Sequence, residues 1–265
     1  MRRHADRPLF FLVIAFTLAG LFIISSASFV LSQKNFDTPY YYLLRHGIAV
    51  AVGLLALAFF QSVPYRALRK FALPLLFLSL ALVGAVFLPQ IGVTLGGASR
   101  WLSVGSLTVQ PSEILKFSLI LYLAGWLDRR KSGRGGFAAM FLPFLVIIGI
   151  AGALLALQPD IGTLLIVAGS AAILYFIGGG RISQILAFLA LAFAALVVIA
   201  QTAPYRARRL LVFLNPGLDP QGIGYHVNQA LIAIGSGGFF GRGFGQSIQK
   251  FSYLPEPIGD SVFAV

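Results

Sequence analysis

No cysteine occurs anywhere in the 265 residues. That absence removes disulfide scaffolds, thiolate metal centres and cysteine nucleophiles together. Charge is nearly as scarce: 11% of residues are Asp, Glu, Lys or Arg, and only 8 residues are acidic. A soluble domain carries roughly 25% charged residues, so an ordinary cytosolic enzyme, a disordered chain and a coiled coil are all excluded. His4, His46 and His226 are scattered and form no metal motif. No internal repeat or low-complexity segment stands out.

What the chain has instead is hydrocarbon, with 58% hydrophobic residues and a mean hydropathy of +0.88. Residues 8–33, 46–64, 71–99, 135–159, 161–180 and 182–205 carry no charge. About 20 apolar residues let a helix cross ~30 Å of hydrocarbon. The pattern predicts an all-α polytopic membrane protein with seven complete spans near Pro8–Leu31, His46–Phe60, Phe71–Leu88, Pro111–Leu127, Phe137–Gln158, Ile161–Ile177 and Ile182–Thr202. Arg2, Arg3 and Arg7 are too few for a separate targeting peptide, so the first run reads as an uncleaved helix.

A net charge of +12 would suggest nucleic acid in a soluble protein. Here it follows from the retention of Lys and Arg in cytoplasmic loops. Segments 1–7, 61–70, 128–136 and 178–181 hold eleven Lys and Arg, against Lys34, Arg45 and Arg100 in 32–45, 90–110 and 158–160. The N-terminus is therefore expected inside, with membrane lipids and no nucleic acid as partners. Pro111 and Pro159 are expected in the first turns of their helices, and 90–110 as a glycine-rich outer loop.

Residues 203–260 are expected outside, packed on the mouth of the bundle, with a local charge of +2 from Arg206, Arg208, Arg209, Arg242 and Lys250 set against Asp219, Glu256 and Asp260. Glycines 235–245 lack the spacing of a nucleotide loop. Ser261–Val265 reads as the first turn of an eighth span, so the chain is expected to be a truncated single membrane domain, 1–265.

Several blocks carry a resemblance. They are Arg100-Trp101, Gln110-Pro-Ser-Glu-x-x-Lys116, Gln158-Pro-Asp-Ile-Gly-Thr163, Tyr205-Arg-x-Arg-Arg209, Phe213-Leu-Asn-Pro-Gly-Leu-Asp-Pro-Gln-Gly222, Gln229-Ala-Leu-Ile-Ala-Ile-Gly-Ser-Gly-Gly238 and Tyr253-Leu-Pro-Glu256. Together they resemble the SEDS family (shape, elongation, division and sporulation) of bacterial cell-wall synthesis. Gln249-Lys250 is more similar to its division branch than to its elongation branch. The resemblance implies a larger helical bundle whose last helices are missing here. It also implies residence in the cytoplasmic membrane, polymerisation of lipid II outside it, and a class B penicillin-binding transpeptidase and other division proteins as partners. The family's catalytic aspartate follows the Leu-Pro-Glu motif and maps onto Asp260. The family pattern His-Thr-Asp-Phe is here Ile258-Gly259-Asp260-Ser261, which keeps the aspartate and changes its neighbours.

Asp260 has two readings, a general base for an acceptor hydroxyl or a helix N-cap, and the resemblance favours the base. Glu113 and Lys116 share a helical face, either as a self-neutralising pair or as a cavity lining in which Lys116 meets pyrophosphate. Arg100 and Trp101 read as interfacial anchors or as phosphate and sugar contacts. Asp160 suits a helix cap, a partner for Arg100 or a cation ligand. Lys250 and Glu256 join the substrate-binding set by their place in the family motif. A Mg²⁺ or Mn²⁺ held by one or two carboxylates and substrate phosphates stays open. Arg100, Glu113, Lys116, Asp160 and Asp260 are expected to gather around one lipid-open cavity. Three functions compete: a glycosyltransferase, a lipid II flippase with charge at the midplane, and a non-enzymatic scaffold. A basic outer segment beside an acid favours the first.

Overall fold

A computed structural model describes residues 6–95, 98–105, 107–130, 137–201, 211–212, 214–222, 224–251 and 253–264. Arg2, Arg3, Lys131, Arg134, Arg206, Arg208 and Arg209, which the charge reading uses, lie outside the described residues.

Eight helices run through the described residues. They are α1 (Arg7–Phe36), α2 (Tyr41–Ser62), α3 (Tyr65–Ala85), α4 (Pro111–Arg130), α5 (Phe137–Leu157), α6 (Ile161–Ile177), α7 (Ile182–Gln201) and α8 (Tyr225–Gly237). The first seven fall on the seven expected spans. Five of them (α1, α2, α3, α5 and α7) are long and apolar enough to cross a membrane. At 17 residues α6 is shorter, and α4 carries charge near both ends. This is a multi-pass membrane protein. Local chemistry sets the ends: Asp6 caps α1 by accepting from the Leu9 amide at 3.1 Å, and Pro111 opens α4. Pro159, expected in the first turn of α6, instead lies in the turn before its N-cap, Asp160.

The chain packs as two compact units, residues 1–62 with 203–265, and residues 63–202. In the second unit, α4 supplies a ladder of Leu115, Leu119, Leu123 and Leu127, all buried. These four residues recur every fourth position and so share one helix face. The ladder belongs to a core with Leu76 and Val83 of α3, Phe144 and Leu155 of α5, and Val167 and Tyr175 of α6. The hydroxyls of Ser79 and Ser118 meet at 2.7 Å between α3 and α4, a polar contact of the kind that holds helices together in lipid.

Residues 92–109 depart from the expected loop. They form an antiparallel sheet of β1 (Gly92–Leu95), β2 (Ala98–Val104) and β3 (Leu107–Val109), in that order. Leu102 pairs with Gly92 on one side and Val109 on the other. Ala98 and Leu102 of β2 are both buried. The β-branched and aromatic residues Val93, Thr94, Trp101 and Val109 suit strands, but glycines between them hide the alternation. The all-helical reading thus holds for the bundle and fails for this hairpin.

In the first unit, Phe36 of α1 stacks on Tyr41 of α2 at 3.6 Å, and Phe22 stacks on Phe244 at 4.2 Å. Phe244 thus meets α1, while Ala230 and Ala233 of α8 pack with Leu254 and Ala264. Val262–Ala264 is a single 3-10 turn, where an α-helical turn was expected. The Ser261 hydroxyl and amide both return to the preceding loop, which tightens the backbone there.

Gly92 brings β1 against the end of α3, its amide donating to the Leu88 carbonyl at 2.9 Å. A Cβ at this position would collide with the Val86 carbonyl. Gly92→Ala should lower stability by about 1–3 kcal/mol, measured by thermal unfolding in detergent. Gly84→Ala, with nothing within 4 Å of the added carbon, should not.

Candidate functional site

The α5–α6 hairpin turns through Gln158, Pro159 and Asp160, and a polar knot forms on it. Asp160 is 4% exposed, and its carboxylate accepts from the Thr163 amide at 3.3 Å, capping α6. Arg100 reaches the same turn from β2. Its Nη2 donates to the Pro159 carbonyl at 2.6 Å, its Nε to the Gln158 carbonyl at 3.4 Å, and its Nη1 lies 3.8 Å from Asp160. Gln110 donates to the other Asp160 oxygen at 3.5 Å, and Gln158 donates to the Val83 carbonyl at 2.8 Å. The planar guanidinium serves several acceptors at once through a rigid fork of donors.

Of the three open readings of Asp160, the structure realises the helix cap and the arginine partner together. Arg100 and Trp101 are successive residues of β2 at a register shift, where Val93 pairs with Trp101 and Thr94 with Ser99, so that Arg100 is the extra, unpaired residue. Trp101 pairs with Val93 and is half-buried. Gln110 and Gln158 were legible only as letters in a motif; nothing in their spacing marked them as partners of Asp160 and Val83.

Glu113 and Lys116 close on each other at 2.9 Å, one turn apart on α4. Lys116 borders a narrow hollow shared with Val167 and Ser170 of α6. A larger cavity of about 270 Å³ lies between α5, α6 and α7, walled by apolar residues such as Ile148, Gly152, Leu164, Phe188 and Ala195. Of the five residues expected to converge, this unit joins Arg100 to Asp160 and pairs Glu113 with Lys116. Asp260 belongs to the other unit.

There, Lys250 is buried and turned inward. Its ammonium donates to the Gly245 carbonyl at 2.7 Å and to the Ser26 hydroxyl at 3.4 Å. Burial pushes its pKa below the ordinary lysine value. Its placement holds the glycine-rich loop, where Gly241, Gly243 and Gly245 all adopt positive φ. Glu256 and Asp260 are exposed. They stand at the two ends of a tight turn in which the Glu256 carbonyl accepts from Gly259 at 3.1 Å and from Ser261 at 3.2 Å. Among the described residues, no group of three or more His, Asp or Glu is arranged to hold a metal ion.

Residues 6–265 match the FtsW, RodA and SpoVE profile described as "Cell cycle protein". The chain belongs to that family. It is similar to the "Probable peptidoglycan glycosyltransferase FtsW" of Trichlorobacter lovleyi, at 38% identity over 98% of this chain and 68% of the relative. It is also similar to a solved structure described as "Structural coordination of polymerization and crosslinking by a peptidoglycan synthase complex". The identity there is 30% over 90% of this chain and 70% of the other, with a TM-score of 0.61. The rod shape determining protein RodA of Thermus thermophilus matches 98% of this chain and 92% of its own at 25% identity, with a TM-score of 0.59. The SEDS membership and helical membrane fold expected from the motifs are both borne out.

The knot supports a stability test. Asp160→Ala removes the cap of α6 and should cost about 0.5–2 kcal/mol. Asp160→Asn still accepts from Thr163 and should recover most of that loss in thermal unfolding.

Proposed function

We propose that this protein is a peptidoglycan glycosyltransferase that polymerises lipid II on the outer face of the bacterial cytoplasmic membrane during division, with Asp260 as general base. The observation that carries the reading is an exposed aspartate on a tightly bonded turn directly after Tyr253-Leu-Pro-Glu256, in a membrane chain of this family. The family relative named as a glycosyltransferase supports it. The charge asymmetry supports a cytoplasmic N-terminus. The likeness to a peptidoglycan synthase complex supports a class B penicillin-binding protein as partner.

Chemically, the acceptor sugar's hydroxyl oxygen attacks the anomeric carbon of lipid II while Asp260 takes its proton. The carbon–oxygen bond to pyrophosphate breaks, and the lipid pyrophosphate leaves with the bonding electrons. A sugar hydroxyl is a poor nucleophile until such a base acts, and a positioned base contributes roughly 10²–10⁴-fold in rate. Lys116, a compact charge near one end of α4, is assigned to the phosphates, with Glu113 holding its position. Arg100, Trp101, Asp160, Lys250 and Glu256 complete the assigned set, with Arg100, Asp160 and Lys250 contributing mainly by holding backbone in place.

A transporter of the same lipid needs ionisable groups along a path through the membrane. Among the described residues, the Asp, Glu, Lys, Arg and His side chains of α1–α7 all lie within two turns of a helix end. That distribution favours the enzyme over the flippase.

Asp260→Asn keeps shape and removes basicity. In proteoliposomes it should abolish glycan polymer while lipid II binding stays near the parent's. Polymerisation at the parent rate would end the base assignment and favour transport. Lys116→Ala should weaken lipid II binding, and its affinity should fall less steeply with salt than the parent's, because screening acts on the contact it lacks.

A further inference from the structure

Asp260 is exposed, and among the described residues its carboxylate has no hydrogen-bond or ion-pair partner. Its position is therefore set by the backbone on either side. Glu256 begins that backbone turn with a φ of 48°, in the left-handed region. Such a conformation persists in a non-glycine residue only where surrounding bonds impose it. The next residue after the aspartate, Ser261, is 3% exposed and supplies those bonds.

The Ser261 hydroxyl has one proton and two neighbours. The Pro255 carbonyl at 2.9 Å can only accept, and His226 Nε2 lies at 2.6 Å. The proton goes to Pro255, so the hydroxyl oxygen must accept from His226. That assignment requires a hydrogen on Nε2, the tautomer set by the bond it makes. A second tether runs beside it: the Tyr225 hydroxyl donates to the Tyr253 carbonyl at 3.0 Å. The first two residues of α8 thus clamp both ends of segment 253–261.

We infer that His226 and Ser261 form a latch that fixes where Asp260 stands, making both of them positioning residues for the transfer step. This rests on the assignment of Asp260 as base. His226 does not touch the reacting atoms. It acts through Ser261, whose amide and hydroxyl close the turn on the Glu256 and Pro255 carbonyls. The histidine that engages the Ser261 hydroxyl comes from a separate helix, α8.

The test has three arms on the membrane-reconstituted protein. First, ¹⁵N-histidine spectra have only three residues to resolve. His226 should report the Nε2–H tautomer, and Ser261→Ala should shift its signals; a spectrum indifferent to Ser261→Ala overturns the latch. Second, misplacing a reacting group by about 1 Å costs up to ~10²-fold. His226→Leu and Ser261→Ala should each lower kcat by roughly ten- to hundredfold with the KM for lipid II and the unfolding midpoint near the parent's. The double variant should be no worse than either. His226→Gln, which keeps an N–H donor, and Ser261→Thr, which keeps the hydroxyl, should restore kcat. Unchanged kcat in His226→Leu, or a rise in KM in its place, overturns the positioning role. Third, an inactive Asp260→Asn supports the underlying base assignment. An active one overturns that assignment, and the positioning role with it, while the spectra still judge the latch by itself.

Discussion

A helical hairpin in a membrane protein leaves the last carbonyls of one helix and the first amides of the next without partners inside either helix. Little water is at hand to satisfy them, and an unsatisfied backbone group in hydrocarbon costs several kcal/mol. The turn Gln158-Pro159-Asp160 meets that demand with side chains. Asp160 bonds the α6 amide of Thr163, Arg100 bonds the carbonyls of Gln158 and Pro159, and Gln158 reaches back to Val83 beside the end of α3. Because Arg100 comes from β2, one turn joins the hairpin, the sheet and α3. Arg100 thereby ties the sheet to the hairpin.

Below that knot, the same unit is organised by shape. The leucine ladder of α4 needs neighbours of complementary size, and Phe144, Tyr175 and Phe188 provide them, with ring centroids 4.4 Å and 5.1 Å apart. Tyr175 keeps its hydroxyl satisfied by Gln184, at 2.9 Å. Gly180 leaves room for the Tyr175 ring, since a Cβ there would run into it. Gly92 and Gly180 thus each mark a close approach.

The bundle was legible because its signal is coarse. A charge-free run of membrane length has few alternatives, and α1–α3 and α5–α7 follow those runs, while α4 carries charge near both ends. The sheet was not legible, because strand alternation in 92–109 is short and interrupted by glycine. Asp160 was readable as a cap from its place before Ile161, but Gln110 and Gln158 were not readable as partners, since their bonds cross 50 and 75 residues of sequence. Asp260 drew notice only through the motif before it. His226 looked like one of three stray histidines until α8 brought it beside Ser261, 35 residues away. What the sequence hides, in each case, is a contact whose two halves are unremarkable alone.

Glu256 sits between two prolines, Pro255 and Pro257, each with its own φ fixed by its ring. The turn they frame is closed by main-chain carbonyls, those of Pro255 and Glu256, and no side chain of residues 257–259 is among the groups that close it. Such a frame separates where a carboxylate is held from what surrounds it. Neighbouring positions become free to drift over evolutionary time, because replacing them changes the local chemistry without moving the acid. Exchanging the side chains of Ile258 and Gly259 removes none of the bonds that close this turn.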